Sequence, residues 1–142
     1  MKELLELSAL ELGAAIRAGD VSIAEATQTA LDAMAEREPS LNCFITAAGE
    51  GAMARAQALQ AGAKEAESPL YGVPMALKDN ICTRGVKTCC ASRILGDFTP
   101  PYDAAAAERM ADAGVISLGK LNMDEFAMGS TTETSFYGPT RN

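Results

Sequence analysis

The run YGVPMALKDN, Tyr71 to Asn80, ends an apolar stretch with a lysine, Lys78, and follows it at once with Asp79 and Asn80. A lysine in that place has two readings. Its ammonium can reach solvent while its stem packs on the core. Alternatively, burial disfavours its charge and leaves a neutral amine able to accept a proton. Asp79 and Asn80 suit a loop tied down by side chain to backbone bonds better than groups that act on a substrate. Asp124 and Glu125 form a carboxylate pair by proximity alone, because adjacent helical residues do not share a face and acids in a first turn serve the helix.

Other chemistries find little support. The chain has no histidine, and Cys43, Cys82, Cys89 and Cys90 form no CxxC pair. A metal set is therefore not expected, and the cysteines read as reduced thiols, Cys89 and Cys90 pointing to opposite sides of an extended chain. A formal charge of −7 without a basic stripe argues against direct nucleic-acid binding. At 142 residues and 48% hydrophobic content the chain is long enough for one domain with a core. No apolar run is of membrane-spanning length, and acids are spaced through MKELLELSALEL, so a cytoplasmic location is expected.

Positioning elements follow from local signals. Ser8-Ala9-Leu10-Glu11 has the pattern of a capping box, and Leu5, Ala9, Leu12 and Ile16 would share a face up to a stop at Gly19. Ser22 to Glu25 repeats the pattern, opening a helix with Ala26, Ala30, Ala33 and Met34 on its apolar face and an end near Pro39. Residues 41–46 (LNCFIT) predict a strand, 50–61 a helix, 62–69 a surface loop and 73–77 a buried strand. Asp103 is placed to cap a helix running through Ala113, with Gly114 as its stop and Val115 to Leu118 as the next buried strand. A further helix over Met123 to Ala127 is one reading of the segment before Gly129. Alternating helix and strand predicts an α/β fold with a mixed central sheet flanked by helices.

The runs PLYGVPMALKDNICTRGVKTCCAS and PPYDAAAAERMADAGVISLGKLNMDEFAMGSTTETSFYGPTRN resemble the amidase signature family, with GVPMALKDN as its general mark. NMDEFAMGST is similar to the branch of that family that serves tRNA-dependent amidotransferases. The resemblance implies a Ser-cisSer-Lys triad with Lys78 as its lysine, drawing a proton through a bridging serine from the serine that attacks the side-chain amide of glutamine. It also implies that Met128, Gly129 and Ser130 line one wall of the acyl pocket. The B and C subunits are the implied partners. No cofactor is expected in this chain, since the family binds ATP, with Mg, and tRNA through the B subunit.

Both serines of the triad belong, in the family, to a glycine- and serine-rich segment, and neither GGSS nor TGGS occurs here. Ser92, Ser117, Ser130 and Ser135 do not match that motif. The expectation is therefore a helical hairpin over residues 1–40 and the first part of an α/β amidase domain over 41–142, truncated before the catalytic serines. By itself such a chain should be inactive, with water reaching Lys78. A free-standing amidase of the same family and a non-catalytic interaction module remain the alternatives.

Overall fold

A computed structural model describes residues 4–62 and 68–142. After a single 3₁₀ turn at Leu4–Glu6 come helices α1 (Ala9–Ala18) and α2 (Ile23–Leu41). Both start where the sequence marks them. At α1 the Glu11 N–H donates to Ser8 Oγ (3.3 Å) and the Ser8 N–H to Glu11 Oε2 (2.7 Å), the reciprocal pair of a capping box. At α2 the Glu25 N–H donates to Ser22 Oγ at 3.0 Å. Gly19 ends α1 in the left-handed region, whereas α2 carries Pro39 inside its last turn and ends on Asn42, also left-handed.

The buried face of the first helix differs from the expected one. Leu5 and Ala9 are exposed, while Leu4, Leu7 and Ile16 pack around Leu12, Ala26 and Val73. The 3₁₀ turn before Ser8 breaks the α-helical period and so takes Leu5 out of the stripe; Ala9, in the first turn of α1 itself, is exposed without that cause.

Three strands follow: β1 (Phe44–Ala47), β2 (Pro74–Lys78) and β3 (Ile116–Leu121), with α3 (Gly49–Ala61) after β1 and α4 (Ala105–Asp112) before β3. The sheet order is β1-β3-β2, with β1 antiparallel and β2 parallel to β3. β3 takes both ladders and is the buried strand, Ile116 being fully enclosed; β2 is paired on one side and only Leu77 within it is buried. The small side chains of Ala52 and Ala56 let α3 lie close on the sheet, against Ile116 and Leu118, and on α2, against Ile23 and Leu31. Enclosing each of these larger side chains contributes about 1.5–3 kcal/mol relative to leaving it in water.

Gly119 fixes the register. Its φ is +141°, and a Cβ there would collide with the Thr46 carbonyl oxygen, so β1 approaches β3 as closely as it does only because this residue has no side chain. Both ladders shift register beside it.

Two sequence readings need correction. Ala104, not Asp103, precedes α4, and no side chain caps it; Asp103 instead accepts from the Arg84 N–H (2.7 Å) and pairs with its guanidinium. Beyond β3 the chain makes only a 3₁₀ turn, Glu125–Ala127, with Phe126 at φ +50°. Of the expected loop over 62–69, residues 63–67 lie outside the described residues. Among the described residues no helix is long and apolar enough to cross a membrane.

Candidate active site

Because β2 and β3 run parallel, their C-terminal ends meet at one edge of the sheet, where α/β proteins hold ligands between loops. Lys78 ends β2 opposite Leu121, which ends β3. Loops 79–92 and 122–138 leave from that edge and clasp each other. The Phe126 N–H donates to Cys90 O and the Phe136 N–H to Ala91 O, both at 3.0 Å.

Strand alternation sets the directions here. Leu77 is buried, Lys78 exposed and Asp79 wholly enclosed. Asp79 is tied to local backbone, as its loop position suggests: Oδ2 accepts from the Cys89 N–H, the Ala91 N–H and the Cys89 thiol, each at 3.1 Å. Asn80 is exposed.

Among the described residues the buried lysine is Lys120, in β3, which the motifs of the sequence do not single out. Its Nζ donates to the Ile81 carbonyl and to Thr88 Oγ1 (2.8 Å) and stands 3.9 Å from Asp79 Oδ1. Burial pushes its amine below the ordinary lysine value, and the Asp79 carboxylate pulls it partly back. A signal existed: VISLGK is a second apolar run ending in lysine, like VPMALK.

Asp124 and Glu125 go to separate partners. Asp124 accepts from the N–H groups of Thr131 (2.8 Å), Thr132 (2.9 Å) and Thr134 (3.1 Å) and from the Thr134 hydroxyl. These donors, Thr134 foremost, hold its carboxyl at about 2. Glu125 accepts from Ser92 Oγ. Met128, Gly129 and Ser130 are exposed at the rim of the same loop. Gly129 is bare for a local reason: a Cβ there would stand 2.6 Å from Asp124 Cγ.

Ser92 is enclosed, and Ser135 Oγ donates to Asn122 Oδ1 at 2.7 Å. Neither is poised as a nucleophile. The four cysteines are unpaired, and burial raises the thiols of Cys43, Cys89 and Cys90, which keeps them from the reactive thiolate form. Cys89 is buried and Cys90 half-buried, but Cys90 is left-handed at φ +53° rather than extended. Among the described residues no group of three or more His, Cys, Asp or Glu side chains is placed to hold a metal.

Backbone strain concentrates in the same two loops. Cys90, Ala91, Phe126, Ala127 and Thr132 are non-glycine residues with φ between +50° and +64°. Such conformations cluster where a protein must hold a loop in one shape for function. By contrast, a cavity of about 610 Å³ between α1, α2 and α3 is floored by Tyr71 at the other end of β2 and contains neither lysine.

The family model for Amidase matches residues 25–142. The A subunit of glutamyl-tRNA(Gln) amidotransferase from Lachnoclostridium phytofermentans is 51% identical over 144 residues, covering 99% of this chain and 29% of the relative. The crystal structure of the corresponding protein from Thermotoga maritima aligns at TM-score 0.73 and 33% identity, over 100% of this chain and 28% of that one. A vestigial protein complex described as revealing the evolutionary origins of an s-triazine catabolic enzyme aligns at TM-score 0.88 and 35% identity, over 96% of this chain and 30% of that one. The chain thus spans about 29% of the length of the curated relatives it matches.

Proposed function

The chain belongs to the amidase family, and from that premise we propose that the complete protein is the glutamine-hydrolysing component of a tRNA-dependent amidotransferase, supplying ammonia to convert Glu-tRNA(Gln) to Gln-tRNA(Gln). The observation that carries this reading is the 51% identity to the amidotransferase relative over nearly all of these residues. In this reading residues 1–40 form a helical hairpin in front of an α/β amidase domain that begins at 41.

Lys78 is the base. It stands at the end of a parallel strand, free of any partner that would claim its amine among the described residues, and its neighbour Asp79 fixes the backbone on which it sits. The serines it would serve belong to the remainder of the domain. A lysine without its nucleophile cannot complete the covalent step, so the 142 residues alone release no ammonia from glutamine. Met128, Gly129 and Ser130 form one wall of the acyl pocket, at the rim of the same pair of loops. B and C subunits complete the assembly; the former holds ATP, Mg and tRNA, and this chain holds no cofactor.

The TM-scores of 6-aminohexanoate cyclic dimer hydrolase, 0.86 at 26% identity, and of a peptide amidase from Stenotrophomonas maltophilia, 0.80 at 30% identity, against 0.73 for the Thermotoga protein, favour a second reading, a free-standing amidase. Purifying the complete protein with its two partner subunits and measuring Gln-tRNA formed from Glu-tRNA and glutamine separates them. Transamidation that needs all three components supports the proposal. Hydrolysis of simple amides by the complete protein without its partners, and no transamidation with them, replaces it with the second reading.

A further inference from the structure

We infer that Asp79 and Lys120 are positioning residues for Lys78, a buried charged clamp that fixes the end of β2 so that the neighbouring amine keeps one direction. The inference rests on the proposed role of Lys78. Its own support is geometric, and it begins with how completely Asp79 is held. The Asp79 N–H donates to Leu121 O (3.1 Å), its carbonyl accepts from the Cys90 N–H (3.2 Å), and Oδ2 takes the N–H groups of Cys89 and Ala91 and the Cys89 thiol. The residue after Lys78 is therefore tied to β3 and to loop 79–92 at once.

Lys120 closes the arrangement from the other strand. It pairs with Leu77 in the ladder, and its Nζ binds the Ile81 carbonyl and Thr88 Oγ1, so both limbs of the loop that Asp79 organises are fastened to β3. Among the described residues Asp79 Oδ1 has no hydrogen-bond partner, and it faces the Lys120 ammonium across 3.9 Å. The attraction across that gap is Coulombic, in surroundings where both side chains are 0% exposed.

Two enclosed charges are a poor way to stabilise a fold, since apolar side chains of similar volume serve as well or better. What a charged clamp supplies is a single geometry: Asp79 must point in, and strand alternation then aims Lys78 out toward the edge where the two loops meet. A proton acceptor misplaced by about 1 Å can cost on the order of 100-fold in rate. Loosening the clamp should therefore lower turnover more than substrate binding.

The test uses the complete protein with its partner subunits and compares Lys120→Met, Asp79→Asn and Lys78→Ala in glutamine hydrolysis. Asp79→Asn retains an oxygen for the Cys89 and Ala91 N–H groups and decides the matter if Lys120→Met does not fold. The expected result for Lys120→Met and Asp79→Asn is a fall in kcat of about 10- to 100-fold with KM within threefold, in variants whose circular dichroism and melting show a folded protein at the assay temperature, with Lys78→Ala lower still. A folded Asp79→Asn with kcat within twofold of the parent, or with the loss confined to KM, overturns the inference. If Lys78→Ala itself leaves kcat intact, the role of Lys78 is what fails; Lys78→Ala inactive beside a fully active Asp79→Asn removes only the clamp.

Discussion

Lys120 Nζ stands 3.9 Å from Asp79 Oδ1 with both side chains wholly enclosed, while Lys78, one residue before Asp79, is open to solvent. A pair of this kind depends on both members. Lys120→Met leaves the Asp79 carboxylate buried without its cation and should destabilise the chain by about 3–5 kcal/mol. Lys120→Met combined with Asp79→Asn should cost clearly less than the two single changes added together. Urea unfolding of the four proteins in the cycle measures this, and additivity within about 0.5 kcal/mol would show that the two groups do not act as a pair.

Gly119→Ala should destabilise by at least about 1–3 kcal/mol, because it places a side chain at φ +141° against the Thr46 carbonyl and forces β1 away from β3. Gly51→Ala is the control. It lies in α3 with no atom within 4 Å of the added Cβ and should stabilise by about 0.4–1 kcal/mol. Equal effects of the two substitutions in denaturant melts would contradict the role given to Gly119.

Asp124 carries a pH dependence whose sign is fixed. Its carboxyl is held at about 2 by the Thr134, Thr132 and Thr131 donors, below the unfolded value near 3.9. A depressed carboxyl contributes stability that is present above about pH 4 and is lost as pH falls through about 2. Asp124→Asn should therefore melt lower than the parent at pH 7, and the difference should close between about pH 4 and pH 2. A difference that stays constant across that window would mean the charge on Asp124 is irrelevant to the loop.

The two lysines should differ in reactivity. In the folded 142-residue chain, an amine-reactive label read by mass spectrometry should modify Lys78 and spare Lys120 until the chain is unfolded, since one amine is exposed and the other is enclosed and bonded to Ile81 and Thr88. Comparable labelling of both in the native state would place Lys120 outside the core.

What the sequence discloses here is what is local. The Ser8 box, the Ser22 cap and the Gly19 stop act within one helical turn, so their residues are readable in order along the chain. Asp103 escapes such a reading for the converse reason: it bonds Arg84, 19 positions away, and no cap pattern reports that. Leu5 falls outside the apolar stripe because a 3₁₀ turn is invisible to a 3.6-residue period. The family of the site is legible in GVPMALKDN, whereas the run VISLGK marks Lys120 as a strand residue but not as an enclosed one, because its partners Asp79 and Thr88 lie on the loop after β2. Pairing across the sheet decides which lysine is enclosed.

The most direct test of the account concerns Lys78 in the complete protein. Lys78→Met keeps the length of the stem and removes the amine. With glutamine saturating and the partner subunits present, ammonia release should fall by at least about 100-fold, as expected when a general base is lost. Folding and KM should change little. Turnover within tenfold of the parent would contradict the account and return Lys78 to the simpler role of a solvated strand end.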